Sequence, residues 1–384
     1  MNAETLRKPA LPVVLVRPFR LLSVAAKAVK MRALGGLVAI VCLAAWTGAQ
    51  AGYTGLYVFG DSLSDTGNNA FVYDVVGASQ GIPPGTLRES LPTPDNSFIP
   101  TYPYANSNVY SNGPVWVDTF AFTLGLNATA SNLGGTNYAY AGARVGPLSQ
   151  PDPLVDFPNY FPPSVTTQVA TFLGQYNYQA PSNALYVVGG GGNDARDIIA
   201  AAGNILAGGG TINDALPGIL SGAQSYAADV DTMVNALEAA GAKDIIVWNA
   251  PNAGLGPAIL AQGAGELGTL VTQLMNLSLL TALNDDIANG VRIFDLFGFA
   301  TNVASDPAAF GLVDATNACS ASANILACQQ NLYQYFFWDG IHPTAAGHRL
   351  LAGAMVASVP EPPTLALLAL ALFAIIAIRK RQSI

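Results

Sequence analysis

Four short runs of almost wholly apolar residues recur along the chain, and each is followed by glycine or a polar residue. They cover residues 56–59, 184–188, 244–248 and 291–294. A strand that is buried on both faces of a parallel sheet shows a continuous apolar pattern, whereas a half-exposed strand alternates. The runs therefore predict a central, mainly parallel sheet.

Segments with apolar residues at helical spacing lie between these runs. They cover residues 114–124, 165–176, 223–240, 268–288 and 343–356, the first with Val115, Phe120, Phe122 and Leu124 as its expected apolar positions. Because parallel strands need long crossover connections, alternating strands and helices favour an α/β fold. We predict a three-layer α/β/α sandwich.

Two proline-rich stretches, 77–112 and 146–163, predict long loops. Loops this long in a compact domain usually cover or line a site. Their aromatic residues, and two just before them, are suited to hold an acyl chain, to stack on sugar rings, or only to pack the loops. They are Phe71, Tyr73, Phe98, Tyr102, Tyr104, Phe157, Tyr160 and Phe161.

Charge is distributed unevenly. Residues 52–358 hold only six of the 16 Lys and Arg residues but 22 of the 24 Asp and Glu residues, which gives this segment a formal net charge of −16. An acidic surface repels phosphate backbones and argues against a nucleic-acid partner. Two histidines and three cysteines leave few ligands for a zinc site. We expect no metal and no cofactor.

Residues 1–51 have the pattern of a secretory signal. A basic segment precedes an uncharged run over 33–46, and Ala-Gln-Ala at 49–51 predicts a cleavage site, so that the mature chain starts near Gly52. The alternative for the apolar run is a buried core helix. The segment is longer than a signal peptide needs, and we therefore hypothesise that translation starts at Met31.

The C-terminal segment, 359–384, has three parts in order. Pro-Glu-Pro at 360–362 precedes 15 uncharged residues, 364–378, and three cations at 379–381. The uncharged run is short for a spanning helix, which needs about 20 residues, but the cations favour a tail on the cytoplasmic side.

This order resembles the PEP-CTERM sorting signal of Gram-negative bacteria. The resemblance implies export across the inner membrane, transient anchoring, and cleavage near 360–362 by an exosortase-type peptidase, which leaves the protein secreted or at the cell surface. The alternative is a permanent membrane tail. The predicted division is thus 1–51 as N-terminal extension and signal peptide, 52–358 as folded domain, and 359–384 as sorting segment.

Two cysteines remain after signal cleavage, Cys319 and Cys328. An even pair in an oxidising compartment predicts a disulfide. The alternative is two free thiols.

A serine, Ser62, follows the first predicted strand within Gly60-Asp61-Ser62-Leu63. It is therefore expected at the carboxyl edge of the sheet, where open α/β sheets bind ligands. Such a serine is a candidate nucleophile, and helix capping is the alternative.

A serine nucleophile needs a base within hydrogen-bond reach, and the chain has only His342 and His348. His342 is predicted on a loop, with Asp339 three residues earlier, where a turn would bring the carboxylate to the imidazole. His348 falls inside the last predicted helix and is expected to be a surface or packing residue.

A glycine-rich segment, 189–194, follows the second strand and ends in Asn193-Asp194. The dinucleotide fingerprint needs glycine where Asp194 stands. We interpret the glycines as a tight turn that presents the Asn193 amide, a suitable donor to an oxyanion.

Four blocks in this order resemble those of the GDSL/SGNH hydrolases: 60–68 (GDSLSDTGN), 137–142 (NYAYAG), 191–194 (GGND) and 339–343 (DGIHP). The resemblance implies the flavodoxin-like fold of that family and a Ser-His-Asp triad. It assigns Ser62 as nucleophile, His342 as base and Asp339 as orienting acid. It also implies an oxyanion hole formed by the backbone N–H groups of Ser62 and Gly142 and by the Asn193 side chain. Some relatives have two glycines where this chain has Ala141-Gly142.

The expected activity is a secreted esterase or lipase that acts through an acyl-enzyme, with a lipid ester as substrate. Two alternatives stay open, an acetyl esterase that acts on extracellular polysaccharide and a non-catalytic surface or matrix protein that keeps the fold.

Overall fold

The structure is a computed structural model that describes residues 52–90, 93–146, 161–322, 325 and 334–359. These residues belong to one compact unit, residues 51–360. The predicted signal peptide, the apolar run of the sorting segment and Cys328 lie outside the described residues.

The central sheet has four parallel strands in the order β1 (Leu56–Phe59), β2 (Leu185–Val188), β3 (Asp244–Trp248) and β4 (Arg292–Phe294). This confirms the predicted fold class. Two strands have the predicted bounds, and β2 and β4 begin one residue later than predicted.

Both faces of the sheet are covered, which explains the continuous apolar runs. Tyr57 and Phe59 of β1 face a core shared with helices Val165–Gln175, Ile212–Ala239 and Gly265–Ala282. Leu56 and Val58 face the opposite core, which contains residues of helices Trp116–Thr123 and Ala345–Ser358. Side chains alternate between the faces of a strand, so every position of β1 is buried.

The remaining elements complete the layers and the edges. The other helices are Asn68–Ser79, Gly192–Ala207, Pro257–Ala261, Asn284–Asn289 and Leu296–Ser305. Short 3₁₀ turns cover Ser131–Leu133, Ala253–Leu255, Pro307–Phe310 and Cys319–Ala321, and a second sheet pairs strands Asp314–Ala318 and Tyr335–Phe337. No helix within the described ranges has both the length and the apolar character needed to cross a membrane.

The helix predicted over 223–240 begins earlier, at Ile212. Asp214 accepts hydrogen bonds from the backbone N–H and the hydroxyl of Thr211, both at 2.7 Å, and so completes a cap at its start. Pro217 lies inside the helix, where proline usually breaks it. The buried face of the helix, which includes Ile219, continues past Pro217. Tertiary packing therefore outweighs the tendency of proline to break the helix.

Two other helix predictions need correction. The segment 268–288 is two helices, Gly265–Ala282 and Asn284–Asn289, with Leu283 between them. Phe122, expected among the apolar positions of helix Trp116–Thr123, is instead 85% exposed.

Candidate active site

The nucleophile candidate lies where the sheet topology predicts. β1 ends at Phe59, and Ser62 follows at the carboxyl edge of the sheet, with 9% of its surface exposed. The side chain of Gln168 donates to the carbonyl of Gly60 and accepts from its N–H, both at 2.9 Å. These two hydrogen bonds hold the backbone just before Ser62.

Ser62, His342 and Asp339 are in hydrogen-bond contact, as the sequence predicts. The Ser62 Oγ is 2.9 Å from His342 Nε2, and His342 Nδ1 is 2.9 and 3.0 Å from the two carboxylate oxygens of Asp339. Asp339 and His342 are both buried. The arrangement therefore links a hydroxyl, an imidazole and a carboxylate in one line.

The Asp339 carboxylate is held by further donors. Oδ1 accepts the backbone N–H groups of Ile341 and His342, at 3.0 and 2.8 Å, and Oδ2 accepts the hydroxyl of Tyr104 at 2.8 Å. Burial and the neighbouring carboxylate raise the pKa of Tyr104, so its hydroxyl stays a donor. The sequence pattern placed Tyr104 only among the aromatic loop residues and carried no signal for this contact.

The residues that carry the proposed oxyanion donors, Ser62, Gly142 and Asn193, line one cleft. Within the described residues, neither the backbone N–H of Ser62 nor that of Gly142 has an acceptor. One N–H of the Asn193 amide donates to the Ala143 carbonyl at 3.0 Å, which leaves the second N–H available. Gly142 has φ +83°, in the left-handed region that favours glycine.

Asn193 lies in the first turn of helix Gly192–Ala207 and not in the predicted tight turn. The chain requires glycine two residues before Asn193, at Gly191. Gly191 has φ +101°, and a Cβ there would lie 2.7 Å from the Tyr226 ring. Glycine therefore lets the chain pass from β2 into the helix close to Tyr226.

A second buried carboxylate, Asp65, links the segment that follows Ser62 to the loop that contains Gly142. It accepts backbone N–H groups of Gly67, Asn68, Asn69 and Ala141 at 2.7 to 3.2 Å. Burial raises the pKa of Asp65 to about 6, although these four hydrogen bonds favour the ionised form. We call Asp65 and these four backbone groups the Asp65 cluster.

The other histidine is a packing residue and not a surface residue. His348 is 1% exposed in helix Ala345–Ser358, and burial lowers its pKa to about 3. It is therefore neutral at physiological pH.

Several loop aromatics pack against each other. Tyr73 makes edge-to-face contacts with Tyr102 and Phe161, with ring centroids 5.1 and 5.6 Å apart. Phe157 and Tyr160 lie outside the described residues. The described rings therefore favour the packing interpretation for this cluster.

Cys319 is fully buried. Its predicted partner lies outside the described residues, so the disulfide stays a prediction. In the part of the chain that the structure describes, no three His, Cys, Asp or Glu residues are grouped to hold a metal ion.

Two clefts are each lined by both Ser62 and His342. The first, about 900 Å³ including its open mouth, has a mostly apolar lining. Its apolar residues include Leu63, Leu255, Ile259, Leu296, Phe336 and Leu351. The second, about 780 Å³, has a more polar lining that includes Asn69, Thr101, Tyr110, Gly142 and Arg144. We call them the apolar cleft and the polar cleft.

Comparison with known sequences identifies the family of this chain. Residues 56–355 match the sequence model of the GDSL-like Lipase/Acylhydrolase family, and residues 358–382 match the PEP-CTERM protein-sorting motif. The chain belongs to the GDSL-like lipase/acylhydrolase family and is a carboxylic ester hydrolase. The sorting motif points to export in a Gram-negative bacterium.

Individual relatives include plant and bacterial enzymes. The chain is 25% identical to a GDSL esterase/lipase of Arabidopsis thaliana, over 81% of this chain and 90% of that protein. It is 25% identical to the phosphatidylcholine-sterol acyltransferase of Aeromonas hydrophila, over 83% and 92%. It is 29% identical to esterase EstA of Pseudomonas aeruginosa, over 83% of this chain but only 49% of EstA.

Proposed function

We propose that this protein hydrolyses carboxylic esters through a Ser62–His342–Asp339 triad. The contact that carries the proposal is the 2.9 Å separation of Ser62 Oγ and His342 Nε2. A carboxylate only accepts, so the Nδ1 that faces Asp339 carries the proton. Nε2 is then free to accept the proton of the Ser62 hydroxyl.

The reaction runs in two halves. Ser62 Oγ bonds to the ester carbonyl carbon while its proton moves to His342 Nε2, and the carbonyl π electrons move to oxygen. Collapse of this intermediate breaks the bond to the alcohol, which leaves with the proton from His342. Water then attacks the acyl-enzyme, His342 takes its proton, and collapse returns that proton to Ser62 and releases the acid.

The negative charge that forms on the carbonyl oxygen needs nearby donors. The backbone N–H groups of Ser62 and Gly142 and the second N–H of Asn193 are the proposed set. Donors that are already in place cost no reorganisation when the charge develops, and losing one typically slows turnover about 10²–10³-fold. The Asp65 cluster supports this set because Ala141 precedes Gly142.

We propose an ester with an apolar acyl chain as the substrate. Ser62 lines the apolar cleft together with Ile259, Leu296 and Phe336, a lining that suits an alkyl chain. An acetyl group would contact little of this apolar lining, which favours a longer acyl chain over the substrate of a polysaccharide deacetylase. A catalytically silent surface protein would not need the Ser62–His342 contact.

The proposed cellular route follows the two ends of the chain. A signal peptidase would cut near residue 51, and an exosortase-type peptidase would cut within the PEP-CTERM motif after brief membrane anchoring. The acyl substrate would therefore be met outside the inner membrane.

The decisive test is Ser62→Ala with p-nitrophenyl esters of two to twelve carbons. We expect turnover to fall at least about 10⁴-fold with an unchanged melting temperature, and wild-type kcat/KM to rise from acetyl toward medium chains. Ser79→Ala removes an exposed hydroxyl from helix Asn68–Ser79 and is the matched control.

A fluorophosphonate probe should label the wild-type protein and the control, but not Ser62→Ala. Retained turnover in Ser62→Ala would refute the triad. Preference for acetyl-xylan over every alkyl ester would instead favour the polysaccharide esterase.

A further inference from the structure

An arginine, Arg196, borders both clefts. It lies one turn after Asn193 on helix Gly192–Ala207 and lines the apolar and the polar cleft together with Ser62 and His342. Its Nη1 is 3.4 Å from Asn193 Oδ1. A permanent cation therefore stands beside the proposed reaction centre.

Arg196 differs from the neighbouring arginine in its pairing. Arg144, which lines the polar cleft, makes two hydrogen bonds to Asp197 at 2.8 and 2.9 Å. No carboxylate of the described residues lies within ion-pair distance of Arg196. Its only hydrogen bond within that part of the chain is the long one to the neutral Asn193 amide.

An arginine without a nearby carboxylate in a largely enclosed place is costly. Burial lowers the pKa of Arg196 most, the positive charge of Arg144 lowers it further, and the more distant charges of Asp197 and Asp339 offset part of this. Partly buried charges are usually paired. The guanidinium thus has N–H groups without an acceptor among the described residues, and it borders the clefts that a substrate would enter.

The charge of the whole domain strengthens the point. Residues 52–358 carry a formal charge of −16, which repels anions at long range. Arg196 and the paired Arg144 are the cations that line the two clefts. A cation beside the reaction centre gains little from a neutral ester, whereas it attracts an ester that carries a negative charge.

We propose that Arg196 binds an anionic group, phosphate or carboxylate, carried by the alcohol part of the ester substrate. This rests on the proposed function, in which the apolar cleft takes the acyl chain and leaves the polar cleft for the alcohol part. Guanidinium presents paired N–H donors that match both oxyanions. The substrate class is thus an amphipathic acyl ester with a charged head.

The test uses three soluble esters with one acyl chain: monobutanoylglycerol, its phosphate monoester, and butanoylglycerate. The measured quantity is kcat/KM of each anionic ester divided by kcat/KM of the neutral ester. We expect this ratio to fall about 10–100-fold in Arg196→Gln, because a charge-assisted contact is lost. Arg196→Lys should retain part of the ratio. The anion with the larger fall identifies phosphate or carboxylate as the preferred group.

Lys243→Gln is the matched control, because it removes an exposed cation beside the opposite end of β3 and should leave the ratio unchanged. An unchanged ratio in Arg196→Gln overturns the proposal. An equal fall in kcat/KM for all three esters leaves the ratio unchanged and overturns it too, because Arg196 would then only orient Asn193.

Binding separates this proposal from the proposed function. Non-hydrolysable ether analogues of the neutral, the phosphate and the carboxylate ester are titrated into wild type and Arg196→Gln by calorimetry. Binding of either anionic analogue that is tighter in wild type than in Arg196→Gln supports the anion site even if no ester is hydrolysed. Equal binding of both anionic analogues by the two proteins overturns it even if Ser62 proves catalytic.

Discussion

Asp339 and Asp65 are both buried carboxylates beside the carboxyl edge of the sheet, but their partners differ. Asp339 contacts the His342 ring and the Tyr104 hydroxyl, in addition to two backbone N–H groups. Within the described residues, the Asp65 carboxylate accepts hydrogen bonds only from backbone N–H groups. Under the proposed mechanism, the first carboxylate stabilises a charge that forms on His342 during the reaction, whereas the second fixes the backbone.

The difference shows that the same residue type has two different roles at these two positions. A carboxylate beside an imidazole stabilises the imidazolium and fixes its tautomer. A carboxylate that collects N–H groups from the start of helix Asn68–Ser79 and from Ala141 acts as a cap that also ties two loops together. The same substitution at each position should therefore change different measurements.

The largest effect is expected from Asp339→Ala. Without the carboxylate, neither the tautomer nor the imidazolium of His342 is stabilised, and kcat should fall about 10⁴-fold. Ester turnover measures this, and a melting curve checks that the variant folds. A loss of less than about tenfold would show that Asp339 is not the partner on which His342 depends.

Asp65→Ala should act mainly on stability. It removes the acceptor for the N–H groups at the start of helix Asn68–Ser79, and we expect a loss of about 2–4 kcal/mol in the free energy of unfolding. Urea denaturation measures this, while turnover below the melting temperature should fall far less than in Asp339→Ala. If Asp65→Ala instead matched wild type in stability, the Asp65 cluster would not be what holds the two loops.

The smallest effect concerns a half-buried carboxylate, Asp194. Burial raises its pKa to about 7, against hydrogen bonds from the backbone N–H of Val145. The native state therefore keeps a proton that the unfolded state releases near about pH 4. The stability that comes from this difference in proton binding is present below about pH 4 and is lost as the pH rises through about 7.

Asp194→Asn cannot ionise and should escape this loss. We expect it to match wild type near pH 4 and to exceed it by about 1–3 kcal/mol near pH 8, measured by denaturation across this range. Asp285→Asn, which removes an exposed carboxylate, is the matched control. A difference between Asp194→Asn and wild type that does not vary with pH would contradict the assignment.

Local signals predicted much of the fold. The bounds of β1 and β3 follow from uninterrupted apolar runs, because both faces of those strands are covered. The Ser62 turn was predictable for the same reason, since strand ends and candidate nucleophiles are both visible in the sequence. With only two histidines in the chain, His342 had few rivals.

The remaining features depend on contacts between distant segments. Tyr104 reaches Asp339 across 235 positions, and nothing in its own neighbourhood distinguishes it from the other loop aromatics. Arg196 is one of six Lys and Arg residues in 52–358, and only the fold shows that no described carboxylate pairs with it. The early start of helix Ile212–Ala239 was hidden by Pro217, whose local cost is offset by packing.

Ser62 and His342 are 280 positions apart in the sequence, and they are therefore synthesised at different times. Both histidines lie beyond residue 341, next to the sorting motif. During synthesis the chain thus contains Ser62 long before it contains either histidine. Under the proposed triad, a nascent chain that has not reached residue 342 lacks the base that Ser62 needs and cannot hydrolyse an ester through this pair.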